Sequence, residues 1–285
     1  MMSFRPKDWP KDRPRAGSKS VTKPGATREQ VERRERFQRA RRESLQPPED
    51  VAVLFGWHTV SAALQNPARR LRKLLATENA ARRLADEKIP TSQPPEIVRP
   101  DAIAARLPPD AVHQGIYAET DPLPSPPIEE LATNGVVLVL DQITDPHNVG
   151  AIFRSAAAFA VTAIVTTARH SPEATGVLAK SASGALEHVP LVTVQNLARA
   201  LAALKARGFL VIGLDSSGED DFAGLALRQP LALVLGAEGK GLRQLTKETC
   251  DHLARLNLPG AIQSLNVSNA AAVALHIARS RAKMT

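Results

Sequence analysis

The chain has 285 residues, of which 43% are hydrophobic but only 4% aromatic, so there is length for two modest domains plus a tail, around a core that must be aliphatic. No stretch approaches the run of ~20 apolar residues that a membrane span needs, residues 1–50 lack the apolar segment of a secretory signal, and the single cysteine, Cys250, excludes an intrachain disulfide and a Cys-rich zinc site; a soluble, reducing, cytoplasmic setting is expected. The net charge of +8 points to polyanionic partners, yet residues 1–50 carry +6 of it and leave only +2 for the rest.

Residues 1–50 mix Arg, Lys, Pro, Ser and Gly with few apolar positions and are expected to stay disordered, since burial cannot offset their ordering entropy; 27–43 has the composition of a transient helix. From Val51 the pattern turns globular. Val51–Phe55 reads as a strand ending at Gly56, and Thr59–Gln65 as a helix stopped by Asn66-Pro67. Leu71–Ala76 reads as a strand, Ala80–Lys88 as an amphipathic helix, and Ile97-Val98 and Gly115–Ala118 as further strands. Such alternation predicts a small α/β domain over 51–120. The proline-rich stretch Asp121–Pro127 opens an extended linker over 121–130.

The remainder, 131–285, alternates more regularly. Val136–Leu140 is an unbroken apolar run, as a buried parallel strand requires. It is followed by a helix over Asn148–Ala160, a strand over Thr162–Thr166, and a helix over Pro172–Ser181 opened by Ser171-Pro172. Next come a strand over Leu191–Val194 and a helix over Asn196–Arg207 closed by Gly208. Strands at Phe209–Leu214 and Leu231–Leu235, a helix over Gly241–Cys250, a short strand over Ala254–Leu258 and a long helix over Asn266–Lys283 complete the pattern. With right-handed crossovers this makes a mostly parallel sheet covered by helices on both faces.

Open α/β sheets bind ligands at loops that follow strand ends, and three such loops stand out. They are Asp141–Gly150, which leads into a helix carrying Arg154; Gly236–Gly241; and Pro259–Ser268. No GxGxxG follows the first strand of this part, so a dinucleotide site is unsupported. Gly236 and Gly241 have P-loop spacing, but Leu242-Arg243 stands where Lys and Ser/Thr must hold phosphates and Mg²⁺, which argues against a nucleotide hydrolase. Asp141 and Asp145 have no clustered third ligand and the histidines no ligand spacing, so no metal is expected; Asp145-Pro146 reads as a turn.

Taken together, Asp145-Pro146-His147-Asn148-Val149-Gly150 with Arg154, Leu233-Val234-Leu235-Gly236-Ala237-Glu238-Gly239, and Ser264-Leu265-Asn266-Val267-Ser268 resemble the SpoU (TrmH) branch of the SPOUT RNA methyltransferases. The resemblance covers 131–285 in order and spacing. Gly56-Trp57-His58-Thr59-Val60 and Val112-His113-Gln114-Gly115-Ile116 extend it to the small domain, where they look like the L30e-like substrate-binding domain of bacterial enzymes that methylate a 23S rRNA guanosine. It implies an α/β fold with a deep trefoil knot in the C-terminal domain, a homodimer, RNA as substrate, and S-adenosylmethionine as methyl donor. It also implies that Gly236, Leu256 and Leu265, with Leu214 and Gly239, contact the donor, and that Arg154, Asn148, Glu238, Ser264 and Asn266 carry the chemistry. One departure is Leu256-Asn257-Leu258, where the family usually has Ile-Pro-Met.

Read from the residues alone, Gly236 suits a close chain approach or a simple turn, and Leu256 and Leu265 suit ordinary core. Arg154 is either the general base that the family assigns or a phosphate clamp that lowers a hydroxyl's pKa, the second being less demanding of a guanidinium. Asn148 orients Arg154 or caps the helix start. Glu238 pairs with Arg154, receives a proton through water, or is a solvated carboxylate. Ser264 and Asn266 are helix caps, substrate ligands, or both. His147 and His113 either touch RNA or make local hydrogen bonds, and segment 1–50 is either an electrostatic arm for RNA phosphates or a solubilising tail. The expected reaction is methyl transfer to a 23S rRNA guanosine 2′-hydroxyl; the alternatives are a tRNA ribose, or a non-catalytic RNA-binding protein on the same fold.

Overall fold

The computed structural model describes residues 50–281 apart from positions 171, 173 and 175, so the basic segment 1–49 and its expected helix lie outside the described residues. Residues 46–285 belong to one compact unit. Its elements run β1 (Ala52–Phe55), α1 (Trp57–Gln65), β2 (Leu71–Ala76), α2 (Glu78–Asp86), β3 (Glu96–Ile97), α3 (Pro100–Ala104) and β4 (Ile116–Thr120). They continue β5 (Val136–Asp141), α4 (Pro146–Ala158), β6 (Ala163–Thr167), α5 (Gly176–Ala182), β7 (Leu191–Val194), α6 (Leu197–Ala206), β8 (Leu210–Leu214) and β9 (Asp220–Asp221). The last are β10 (Leu231–Gly236), α7 (Gln244–Thr249), β11 (His252–Arg255) and α8 (Val267–Arg281).

The first four strands form a sheet in the order β1-β4-β2-β3, with β4 antiparallel to both its neighbours and β3 parallel to β2. Alternation along these strands gives the sheet two faces. Leu54, Leu74, Ala76, Ile116 and Ala118 pack with α1 and α2, whereas Phe55, Leu75 and Tyr117 pack with Ile103 and Leu107 at α3. The helix α3 falls on a stretch that the apolar pattern left unassigned, because five residues are too few to express a helical period.

The other seven strands form a sheet in the order β7-β6-β5-β10-β8-β11-β9, in which every neighbouring pair is parallel. Both faces are apolar, as the unbroken Val136–Leu140 run predicts. Leu138, Leu140, Ile164, Ile212, Leu233 and Leu235 face α4, α5 and α8. Val137, Val139, Val165, Val211, Ala232 and Val234 face α6, whose Leu197, Ala200, Leu201 and Leu204 recur at helical spacing. Asn196 caps α6 by accepting the Arg199 N–H at 3.0 Å, and Gly208 follows it at φ +88°.

Three expected boundaries move. The helix expected over 172–181 is α5, and it starts only at Gly176, whose φ of +52° is incompatible with an upstream right-handed turn. The helix expected over 241–250 shrinks to α7, since Gly241 has φ +65° and Arg243 is extended. The strand expected over 254–258 is β11, which ends at Arg255 and leaves Leu256 in the following loop. Sequence spacing carries no signal for such left-handed residues unless the turn is already known. The spacer after β4 is anchored at its far end, where Arg207 donates to the carbonyls of Ile128 (2.7 Å) and Leu131.

The two sheets are joined through α5 and the short turn Ala185–Glu187. Arg69 and Glu187 form an ion pair at 2.9 Å with both side chains 2% exposed. Asn66 Nδ2 donates to the same carboxylate at 2.7 Å, and Arg69 also donates to the Asp121 carbonyl at 3.0 Å. Thr59 Oγ1 donates to the Ala179 carbonyl at 3.2 Å beside them. Removing one partner of a buried pair strands the other charge away from water. Glu187→Ala is therefore expected to lower the unfolding free energy by about 3 kcal/mol, read as a shifted urea midpoint; an unshifted midpoint counts against a structural role for this pair.

Candidate functional site

The three loops meet at the carboxyl edge of the large sheet, each held by its own local chemistry. At the end of β5, buried Asp141 accepts the Arg243 backbone N–H at 3.1 Å and its Nε at 2.7 Å, which ties the first loop to the segment after β10. Asp145 then caps α4, accepting the His147 N–H at 3.0 Å, with Pro146 at the first helical position. The Asp-Pro pair is thus a helix start, and the cap is Asp145 rather than Asn148. Asn148 lies in the first turn of α4.

The second loop leaves β10 at Gly236. A Cβ there would stand 2.3 Å from the Gly241 carbonyl carbon, so only glycine lets the loop fold onto itself. The Gly241 N–H donates to Ala237 O at 2.8 Å, and Gly239 and Gly241 are left-handed at +74° and +65°. This tight reversal carries Glu238 outward. The third loop runs from Leu256 to Asn266, whose Oδ1 accepts both the N–H (2.9 Å) and the hydroxyl (2.6 Å) of Ser268 at the start of α8.

One carboxylate oxygen joins the three. Glu238 Oε1 accepts Asn266 Nδ2 at 2.7 Å, Asn148 Nδ2 at 3.3 Å and the Val267 N–H at 3.3 Å, while Asn148 Oδ1 accepts Asn266 Nδ2 at 2.9 Å. Asn266 thus both caps α8 and bridges loops. Ser264 is exposed and makes no hydrogen bond among the described residues, so capping belongs to Asn266 alone. Neither expected Arg154 pairing is present: Asn148 and Glu238 satisfy each other instead. Arg154 is exposed on α4, six residues beyond Asn148 and without a polar partner among the described residues.

Beside this junction, Leu214 ends β8, Gly236 ends β10, and Leu256 follows β11, and these strands are neighbours in the sheet. Leu265, 39% exposed, directly precedes Asn266, and nothing lies within 4 Å of a Cβ placed on Gly239. Of the residues expected to contact the donor, Leu214, Gly236 and Leu256 thus stand at the ends of neighbouring strands, Leu265 is partly exposed, and Gly239 is uncrowded. Leu256 packs partly against the core, so its core reading also holds.

Several contributors carry no motif. Asp215, just after β8, receives Lys247 Nζ at 2.8 Å and the Ser217 N–H at 2.9 Å with its side chain 7% exposed. Burial alone would raise its pKa, but these donors outweigh it and hold the carboxyl down at about 2. Its Oδ2 lies 3.1 Å from a Cβ placed on Gly241, so the pair braces the second loop. His147 Nδ1 lies 3.2 Å from Ser181 Oγ, and His113 Nδ1 accepts the Gly115 N–H at 3.1 Å, so each histidine makes a local bond. Burial lowers the pKa of His113. Cys250 is a half-buried thiol pushed up to about 12 by desolvation and by Asp251. The Asp215–Lys247 and His147–Ser181 contacts each span more than 30 residues, where a sequence offers no spacing rule. Among the described residues no group of three or more His, Cys, Asp or Glu side chains is placed to hold a metal.

A family model described as the SpoU rRNA Methylase family matches residues 135–276, and one described as RNA 2′-O ribose methyltransferase substrate binding matches 53–126. The chain is 38% identical over 237 residues to the 23S rRNA (guanosine-2′-O-)-methyltransferase RlmB of Pseudomonas putida, covering 78% of this chain and 93% of that protein. It is 37% identical to RlmB of Ralstonia nicotianae over the same shares. In fold it is similar to the SpoU methyltransferase AviRb from Streptomyces viridochromogenes, solved with AdoMet, at TM-score 0.71 and 24% identity over 86% of this chain and 97% of that one. An AdoMet-bound rRNA methyltransferase from Sinorhizobium meliloti gives TM-score 0.70 at 19% identity over 87% and 92%.

Two outcomes are expected of this site. Glu238→Ala removes the shared acceptor, so the amide of Val267 should exchange faster and stability should fall by about 1–2 kcal/mol; unchanged exchange would mean the junction does not hold α8. Asp215 has a folded pKa below its ordinary 3.8, so its contribution is complete above pH 4 and lost as pH falls toward 2. The stability difference between wild type and Asp215→Asn should therefore shrink across that window in denaturant titrations, and a constant difference would contradict the assignment.

Proposed function

The chain belongs to the SpoU rRNA methylase family, and from that premise we propose that it transfers a methyl group from S-adenosylmethionine to the ribose 2′-hydroxyl of a guanosine in 23S rRNA. The observation that carries this reading is the junction of Asn148, Glu238 and Asn266 next to an apolar strand-end region. The small sheet, within the stretch matched by the substrate-binding model, serves as the RNA-gripping domain over 51–120, with 121–130 as linker and 131–285 as the methyltransferase domain. A homodimer, a cytoplasmic location and a trefoil-knotted path belong to the same proposal.

The residues fit the donor. Leu214, Leu256 and Leu265 offer apolar surface for adenine, the open backbone at Gly239 allows close approach and main-chain hydrogen bonds, and Gly236 holds the tight reversal that presents it. When bound, S-adenosylmethionine supplies an electrophilic methyl on a sulfonium. The chain's own contribution is positioning, which for two well-aligned reactants is worth ~7–11 kcal/mol.

Arg154 holds the phosphate next to the target ribose with a guanidinium that no group among the described residues occupies, and its charge lowers the pKa of the 2′-hydroxyl. Glu238 keeps Oε1 on its three donors, which leaves Oε2 as an acceptor for the hydroxyl proton through water. Asn148 and Asn266 fix that carboxylate, and Ser264, exposed and without a partner among the described residues, hydrogen-bonds the substrate. Segment 1–50 adds sequence-independent contacts to RNA phosphates.

Arg154→Ala is expected to cut methyl transfer by about 100-fold or more while calorimetry shows S-adenosylmethionine affinity unchanged; loss of donor binding would instead place Arg154 in the donor pocket. Mapping 2′-O-methylation in cells with and without the protein should show loss at one 23S rRNA guanosine, and loss confined to tRNA would overturn the substrate.

A further inference from the structure

A second polar pocket opens at the carboxyl edge of the large sheet, on the face covered by α6. Strand alternation puts Thr167, at the end of β6, on the same side as Ala163 and Val165, and both of those pack with α6. Thr167 is 5% exposed, and its hydroxyl is buried without a hydrogen-bond partner. It lines a cleft of about 460 Å³ together with Arg169, Asn196, Leu197, Ala198 and Arg243.

Each of these groups favours an oxyanion. Arg243 gives its Nε to buried Asp141 at 2.7 Å, which fixes the guanidinium plane, and its terminal nitrogens have no partner among the described residues. Arg169 is exposed, again without a partner among the described residues. Leu197 and Ala198 belong to the first turn of the ten-residue helix α6, whose N–H groups lack intrahelical acceptors and carry the positive end of the helix dipole. The Thr167 hydroxyl, unpaired among the described residues, adds a donor. The residues lining the cleft include no acidic side chain. Asp141 and Gly236 are register partners at the ends of β5 and β10, so this cleft shares an edge with the methyl-transfer site.

We propose that the cleft formed by Thr167, Arg169, the start of α6 and Arg243 binds a backbone phosphodiester of the RNA substrate, flanking the nucleotide held at Arg154. This rests on RNA being the substrate. The alternative source of the same chemistry is free phosphate.

The test uses the full chain and an rRNA transcript, with binding measured against salt. In Arg169→Gln/Arg243→Gln the RNA Kd should rise about 10-fold and the slope of log K against log salt should become shallower by about 1, one phosphate contact's worth. S-adenosylmethionine affinity should not move in Arg169→Gln, which leaves the Asp141–Arg243 tie intact. Because Arg243 also supports Asp141, Arg169→Gln alone serves as the second variant and should shift Kd and slope in the same direction. Unchanged Kd and slope in both variants would overturn the proposal. So would inorganic phosphate binding that the substitutions abolish while the RNA slope stays put. A wild-type protein that binds the transcript but methylates nothing would sink the enzymatic reading and leave the salt slope still able to judge this cleft.

Discussion

The site depends on one carboxylate oxygen. Glu238 Oε1 draws together Asn148, Asn266 and the Val267 N–H, so three loops spread over more than a hundred residues become one surface. A charged acceptor suits this role, because hydrogen bonds to an ionised group are shorter and stronger than neutral ones. It also explains why the tight, glycine-rich reversal before it is necessary: only a loop folded back at Gly236 and Gly241 carries Glu238 to that point.

Around that junction the sheet acts as a two-sided platform. On one side α4 and α8 supply Arg154 and the cap residue Asn266; on the other α6 and the Asp141–Arg243 pair shape a polar cleft. All of these features lie at the carboxyl edge because parallel strands send every following loop to the same end. The ends of β10, β8 and β11, with Gly236, Leu214 and Leu256, follow one another along the same edge. The buried Arg69–Glu187 pair joins the loop before β2 to the turn after α5, so the small sheet is held in a defined relation to the edge.

Much of the fold was legible in the order of residues. The strands at Leu71–Ala76 and Leu191–Val194, and the capped helix after Asn196, follow directly from apolar runs and end signals. Boundaries near left-handed residues were not, and α5 and α7 are shorter than their apolar spacing implied. Of the site, the motif residues were identifiable but their partners were not. Arg154 was expected to bond Asn148 or Glu238, whereas the shortest hydrogen bonds of those two run to Asn266. A pairing between groups far apart in the chain leaves no periodic trace.

What the sequence determined by itself was the element types, the aliphatic two-faced sheet and the three loops, because periodicity, capping and glycine placement are local properties of a chain. What only the tertiary structure decided was which side chains meet: the three-way sharing of Glu238, the orientation of Arg243 by Asp141, and the unpartnered Thr167 hydroxyl. Hydrogen bonds act over about 3 Å, and at that range only the folded path of the backbone determines whether residues a hundred positions apart are neighbours.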